Sequence, residues 1–425
     1  MKNDDAGEAT ADTEVVVGRI VTPTDVIEDG AVQIRDGRIH WCGPRTALPA
    51  RAGEAPVPDP RPGSTVLPGL VDLHNHGGGG ASFPDAATAA RARHAVTAHL
   101  HQGTTSVVAS LVTAPAEVLR ERVALLADLA DAGEIAGIHL EGPFLSPARR
   151  GAQSPRHLRA GDPDLVRALA AAARGHLRTM TVAPEIEGVV GPGGVIETLV
   201  DLGILPSIGH TAADTDTTER AISTARAALT AVGRRDSRIT ATHLFNGMEP
   251  LHHRSPGPVA ACLAAAARGE LVVELVADGV HLAPGMVRAV FDMLECGAAR
   301  GGATAPSGAI ALVTDAMAAA GMADGSYELG PMSVRVVDGA AWLADGSSIA
   351  GGTSRLLDVV RSAVAAGADL VAAVRAASST PADVLGLADV AGIVVGHRAD
   401  VVVTDGDLRV RRVLRAGNDV LPVQR

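Results

Sequence analysis

The sequence predicts an α/β protein: a (β/α)8 TIM-like barrel accompanied by a small β-sandwich-like domain built from both chain ends. Three observations predict it. Between Val66 and Asp315, apolar strand-like runs alternate with Ala-rich helical stretches, giving eight βα units over about 250 residues, the size and repeat of such a barrel. The two chain ends share a different, β-rich texture that brackets this middle. Aromatic residues make up only 2% of a chain that is 47% apolar, so the core is aliphatic, as suits a parallel sheet covered by Ala-rich helices.

Taken in order, residues 1–12 are acidic and lack an apolar run, and are expected as a disordered tail without a secretion signal. Short strands with turns follow, with Asp36-Gly37 as a hairpin signal, and the far C-terminus (GIVVGHRADVVVTDGDLRVRRVLRAG) repeats that style. Residues 13–65 with 385–425 are therefore expected as the small β domain, and 66–384 as the barrel. A Pro/Ala/Gly-rich stretch over 47–63 forms the linker. The eight expected barrel strands are 66–74, 104–112, 135–141, 178–183, 204–210, 239–243, 271–278 and 309–315. Helices are expected at 85–102, 115–132, 162–174, 215–232 and 284–296. An open doubly wound sheet is the competing topology. However, no GxGxxG follows the first strand, and HNHGGGG lacks the Lys-Ser/Thr of a phosphate loop.

Composition narrows the function. A formal net charge of −11 argues against general nucleic-acid binding, and an anionic ligand would need a local basic pocket. Lys2 is the single lysine, which reflects compositional bias. Cys42, Cys262 and Cys296 are widely spaced and odd in number, as expected of reduced thiols in a cytoplasmic protein. No apolar run is long enough to suggest a membrane span.

The first barrel strand ends in LHNHGGGG. Side chains alternate along a strand, so His74 and His76 point to one side, and two imidazoles at a strand end suggest a metal. Further polar residues arrive at later strand ends. From His76 to Glu141 is 65 residues and from Glu141 to His210 is 69, about two βα units each. The steps to His243 (33), His281 (38) and Asp315 (34) are about one unit each, so these residues converge on the C-terminal mouth of the barrel. Glu141, His210 and His243 suit a His2Glu site that leaves a position open for water. Glu141 could instead pair with Arg149 or Arg150. Asp315 is expected as a general base, with a fourth ligand or a helix cap as alternatives. His281 could hold substrate or be a plain loop histidine. Asn246, His252, His253 and Arg254 form a cationic, donor-rich loop suited to phosphate or carboxylate, although Arg254 could equally be an exposed, salt-bridged residue.

The blocks PGLVDLHNHGGGG, HLEGPFLSPARRGA, GHT, THLFNGMEPLHHRSPG, VADGVHLAP and LVTDAMAAAG run in order from 68 to 321. Together they resemble the N-acetylglucosamine-6-phosphate deacetylases, a branch of the metal-dependent amidohydrolase superfamily. The resemblance implies that Glu141, His210 and His243 bind a divalent metal, and that His74 and His76 hold a second ion where one is present. It implies that Asp315 is the catalytic acid/base. It also implies that Asn246, Gly247, Arg254 and His281 contact the sugar phosphate, and that Ala152 and the loop Ile349, Ala350, Gly351 and Gly352 line the sugar. One or two ions per subunit are expected, zinc foremost, with iron, manganese and cobalt also suited to these donors. A cytoplasmic homodimer acting on a phosphorylated amino sugar, with the partner subunit supplying a phosphate contact, completes the implied picture.

Three departures fall in the substrate shell. Gln153 stands where similar proteins have a histidine thought to polarise the carbonyl; it can donate a hydrogen bond but cannot become cationic. Gly352 replaces a serine, and Gly247 an alanine. The competing readings are a deacetylase of N-acetylgalactosamine 6-phosphate or of a non-phosphorylated N-acetylhexosamine, and a non-catalytic barrel scaffold.

Overall fold

The computed structural model describes residues 13–49, 59–295 and 308–420; the expected N-terminal tail, most of the linker and Cys296 lie outside them. The chain forms two compact units, one of Met1–Gly69 with Asp389–Arg425, the other of Leu70–Ala388.

In the first unit, β1 (Thr13–Val21), β2 (Val26–Arg35) and β3 (Arg38–Pro44) form an antiparallel meander. Asp36 and Gly37 turn β2 into β3 with φ of 51° and 72°, the paired left-handed conformation of a tight hairpin. β4 (Thr65–Pro68) then pairs parallel to β1.

In the second unit, β5 (Leu70–Asn75) opens the barrel, and the two-residue strands β6 (Gly77–Gly78) and β7 (Ala81–Ser82) make a small ribbon after it. The sheet continues through β8 (Thr104–Val112), β9 (Gly137–Glu141), β10 (Leu177–Val182), β11 (Leu205–Ile208), β12 (Ile239–Ala241), β13 (Leu271–Leu275) and β14 (Ile310–Leu312). Its order is sequential from β5 to β14, and every neighbouring pair is parallel. All nine residues of β8 are buried, as expected of a strand covered on both faces. Helices alternate with the strands and begin at local caps: Thr88, Asp162 and Asp214 each accept a hydrogen bond from a first-turn N–H.

The cylinder closes where Asn75 bridges Ala316. Across this seam the Asp315 N–H donates to His74 O (2.9 Å) and the His76 N–H to Ala316 O (2.7 Å). Buried Asp72 adds a side-chain clasp, accepting from Thr314 Oγ1 (2.6 Å) and Asn75 Nδ2 (3.0 Å).

Two details differ from the expectation. The run 66–74 is two strands broken at Gly69, because Thr65–Pro68 pairs within the terminal sheet; the units accordingly divide after Gly69 and after Ala388 rather than after 65 and 384. Several strands also stop short: β11, β12 and β14 end two or three residues before His210, His243 and Asp315. Those three residues take φ of 48°, 27° and 47°, left-handed values that cannot continue a strand.

After the barrel comes an antiparallel ribbon of β15 (Gly325–Leu329), β16 (Met332–Val337) and β17 (Ala340–Leu343). Its inner residues Leu329, Val334, Val336, Ala341 and Leu343 pack with Val112, Met317 and Ala350. Finally β18 (Val401–Thr404), β19 (Val410–Arg415) and β20 (Asn418–Asp419) return to the terminal sheet, whose order is β20-β19-β18-β4-β1-β2-β3. Among the described residues, no helix is long and apolar enough to cross a membrane.

Candidate active site

The strand ends bring two groups together: His74, His76 and Asp315, and Glu141, His210 and His243, each with ligand atoms within 4.8 Å of one another. All six are buried. The proton positions on three imidazoles follow from their outer partners. His76 Nδ1 faces Ser110 O at 3.2 Å and His210 Nδ1 faces Arg149 O at 2.8 Å; a carbonyl only accepts, so these nitrogens carry the hydrogen. His74 Nδ1 faces the Glu274 carboxylate at 3.2 Å. In the neutral rings the Nε2 lone pairs therefore turn inward, where His74 Nε2 lies 3.0 Å from His76 Nε2 and His210 Nε2 lies 3.1 Å from His243 Nε2. His243 Nδ1 is buried with no hydrogen-bond partner among the described residues.

Glu141 stands between the groups. Its Oε1 lies 2.8 Å from His210 Nε2 and 3.0 Å from His243 Nε2, and its Oε2 lies 3.1 Å from His76 Nε2. Asp315 Oδ1 is 3.4 Å from His74 Nε2 and 3.3 Å from His76 Nε2. Burial alone would lower the His74 pKa, but Asp315 and Glu141 outweigh it and hold it well above the usual imidazole value. Burial likewise opposes ionisation of Glu141, and His210 and His74 overcome it to keep this carboxyl well below the usual range. A field that attracts protons this strongly also attracts a cation. Once those protons give way to an ion, the inward Nε2 lone pairs and the carboxylates form a donor set that fits divalent metal.

Beneath the site His139 is held by Ser110 Oγ (3.0 Å) and Thr181 Oγ1 (2.8 Å), and the chain of hydroxyls continues through Thr242, Ser207 and Thr240. Burial and the neighbouring His74 depress the His139 pKa strongly, so this ring is neutral.

Above the two groups opens a cavity of about 280 Å³. Of the residues expected at the substrate, it is lined by Ala152, Gln153, Asn246, Gly247, His281, Ile349, Ala350 and Gly351. His281 donates through Nδ1 to Asp278 Oδ2 (2.8 Å), and its Nε2 lies 3.7 Å from Asp315 Oδ2. Gly352 sits behind the lining: its N–H donates to Asp315 O at 2.6 Å, and a Cβ there would lie 2.2 Å from Thr314 O, leaving no room for a side chain. Arg254 is exposed and is not among the lining residues, nor are His252 and His253. Arg149 pairs with Glu249 rather than Glu141.

Sequence reasoning missed Leu329 and Trp342, which the ribbon carries to the cavity wall, and Glu274 behind His74. A signal for the ribbon was present in the Gly330-Pro331 and Asp338-Gly339 turns flanking SVRVV.

A parallel barrel with histidines and carboxylates gathered at the ends of its strands defines a metal-assisted hydrolase class. The chain belongs to the amidohydrolase family, whose pattern matches residues 65–421. Among curated proteins it is similar to the N-acetylglucosamine-6-phosphate deacetylase of Bacillus subtilis, 33% identical over 94% of each chain. It is also similar to the N-acetylgalactosamine-6-phosphate deacetylase of Escherichia coli O157:H7, 30% identical over 93% of this chain and 96% of that protein. Among solved structures, the N-acetyl-D-glucosamine-6-phosphate deacetylase of Mycobacterium smegmatis is 39% identical, with a TM-score of 0.83 over 96% of this chain and 100% of that one.

Proposed function

We propose that this chain hydrolyses the N-acetyl amide of N-acetyl-D-glucosamine 6-phosphate to glucosamine 6-phosphate and acetate, in amino-sugar catabolism and recycling. The observation that carries this reading is the convergence of Glu141, His210 and His243 beside Asp315 on the floor of the cavity. In this reading Glu141, His210 and His243 hold one divalent ion and His74 and His76 hold a second. Zinc is the foremost candidate, and iron, manganese or cobalt suit the same donors. A bound ion would lower the pKa of a water and polarise the acetyl oxygen.

The residues of the chain do the rest. Asp315 takes a proton from the attacking water as the new C–O bond forms, then passes it to the nitrogen as the C–N bond breaks, releasing the amine. His281, braced by Asp278, orients the sugar. Ala152, Gln153, Asn246, Gly247 and the loop Ile349, Ala350, Gly351 and Gly352 shape the sugar and acyl pocket. Arg254 is assigned to the phosphate, within a cytoplasmic homodimer whose partner subunit adds a further contact.

The E. coli relative favours a second reading, N-acetylgalactosamine 6-phosphate as substrate. A panel of N-acetyl-glucosamine and -galactosamine, each with and without the 6-phosphate, assayed for acetate release, tests both. Release confined to the phosphorylated gluco sugar supports the first reading. Preference for the galacto sugar, or for free sugars, removes it. If Arg254→Ala raised KM no more for the phosphorylated sugar than for the free one, the phosphate assignment would be lost.

A further inference from the structure

Glu274 lies in mid-strand on β13 (LVVEL), where all five residues are buried, and only 3% of its surface is exposed. A carboxylate so placed is costly unless it is hydrogen-bonded. Its Oε2 lies 3.2 Å from His74 Nδ1 and accepts from the His243 N–H at 3.4 Å; His74 is its ion-pair partner among the described residues. The other outer contacts of the site differ in kind. His76 and His210 rest on neutral backbone carbonyls, and His243 Nδ1 has no hydrogen-bond partner among the described residues. One ring of four therefore has a charged acceptor behind it.

We propose that Glu274 is a positioning residue for His74: it keeps the imidazole hydrogen on Nδ1 and turns Nε2 toward a cation shared with His76 and Asp315. The proposal rests on the reading of that group as an ion site. A carboxylate behind an imidazole makes the far nitrogen a stronger donor, and losing such a partner weakens metal affinity about 10- to 100-fold. The effect falls mainly on one group, because Glu274 reaches the other only through the His243 backbone N–H, at the longer distance of 3.4 Å. A simple brace between β5 and β13 would behave differently, weakening both ions together.

The test compares the full-length protein with Glu274→Met, which removes the acceptor, and Glu274→Gln, whose carbonyl can still accept. Each is titrated with Zn²⁺ against a competing chelator, and bound zinc is counted by elemental analysis. Wild type should hold two equivalents. Glu274→Met should keep the first at wild-type affinity and bind the second at least 10-fold more weakly, with Glu274→Gln between them. A second equivalent held at wild-type affinity in Glu274→Met, or both weakened equally, overturns the proposal. Wild type holding a single equivalent overturns the underlying reading instead. If Glu274→Met fails to fold, the Gln variant decides, and an unchanged second affinity counts against the proposal.

Discussion

Gln153 Nε2 donates to Glu141 Oε2 across 2.6 Å, while Gln153 Oε1 accepts from the Thr113 N–H at 2.8 Å. The backbone donor settles which end of the amide faces the carboxylate. A residue expected to touch the substrate carbonyl thus also grips the acid that stands between the two histidine pairs.

Removing that grip should be costly. A hydrogen bond to a charged group is worth about 1.5–3 kcal/mol, so Gln153→Leu should lower kcat/KM by roughly 10- to 100-fold. Acetate-release kinetics check this; wild-type kinetics would show that Glu141 holds its place unaided.

Asp315→Asn should lower kcat by about two to four orders of magnitude, the usual share of a positioned acid/base. Elemental analysis of the same sample separates loss of proton transfer from loss of an ion. Full turnover would remove the assignment.

Dialysis against a strong chelator should abolish turnover and lower Tm, and adding back a divalent ion should restore both. At a free ion concentration of 100 Kd the ion adds about 2.7 kcal/mol to stability. Differential scanning calorimetry of the two forms reads the shift.

Trp342 is 40% exposed on the cavity wall, while Trp41 belongs to the terminal sheet. Substrate binding should therefore change tryptophan fluorescence in wild type but not in Trp342→Phe. Trp342→Ala should raise KM more than it lowers kcat. A signal unchanged by Trp342→Phe would place the sugar elsewhere.

Burial pushes the Cys262 thiol up to about 12, from an ordinary value near 9.0. The nucleophilic thiolate is thus scarce until the pH approaches that value. Iodoacetamide at pH 8 should label Cys262 only after denaturation, as read by peptide mass mapping; rapid labelling of the native protein would contradict this.

The parts legible in sequence were those with a one-dimensional signature. Runs such as TTSVVASLV, rich in β-branched residues, read as deeply buried strands, and His76, Glu141, His210, His243 and Asp315 fall at spacings set by the βα repeat. Strand ends were harder to place, because residues other than glycine, His210, His243 and Asp315, take the left-handed turns that end the ladder. Glu274 was hidden because one acid within LVVEL looks like an outward face; only the closed cylinder turns it toward His74. The ribbon was overlooked because its strands are short and its outer residues, such as Arg335, are exposed. Arg254 stood out by charge, yet charge says nothing of where a loop points, and its side chain lies outside the cavity lining.

The clasp of Asp72 on Thr314 and Asn75 carries a final consequence. His74 and Asp315 flank the same join, linked to each other through their backbones. Unzipping the cylinder along that edge would scatter the two of them at once, so thermal inactivation and release of any bound ion should arrive as a single event. Whatever keeps this edge shut also keeps the protein charged for work.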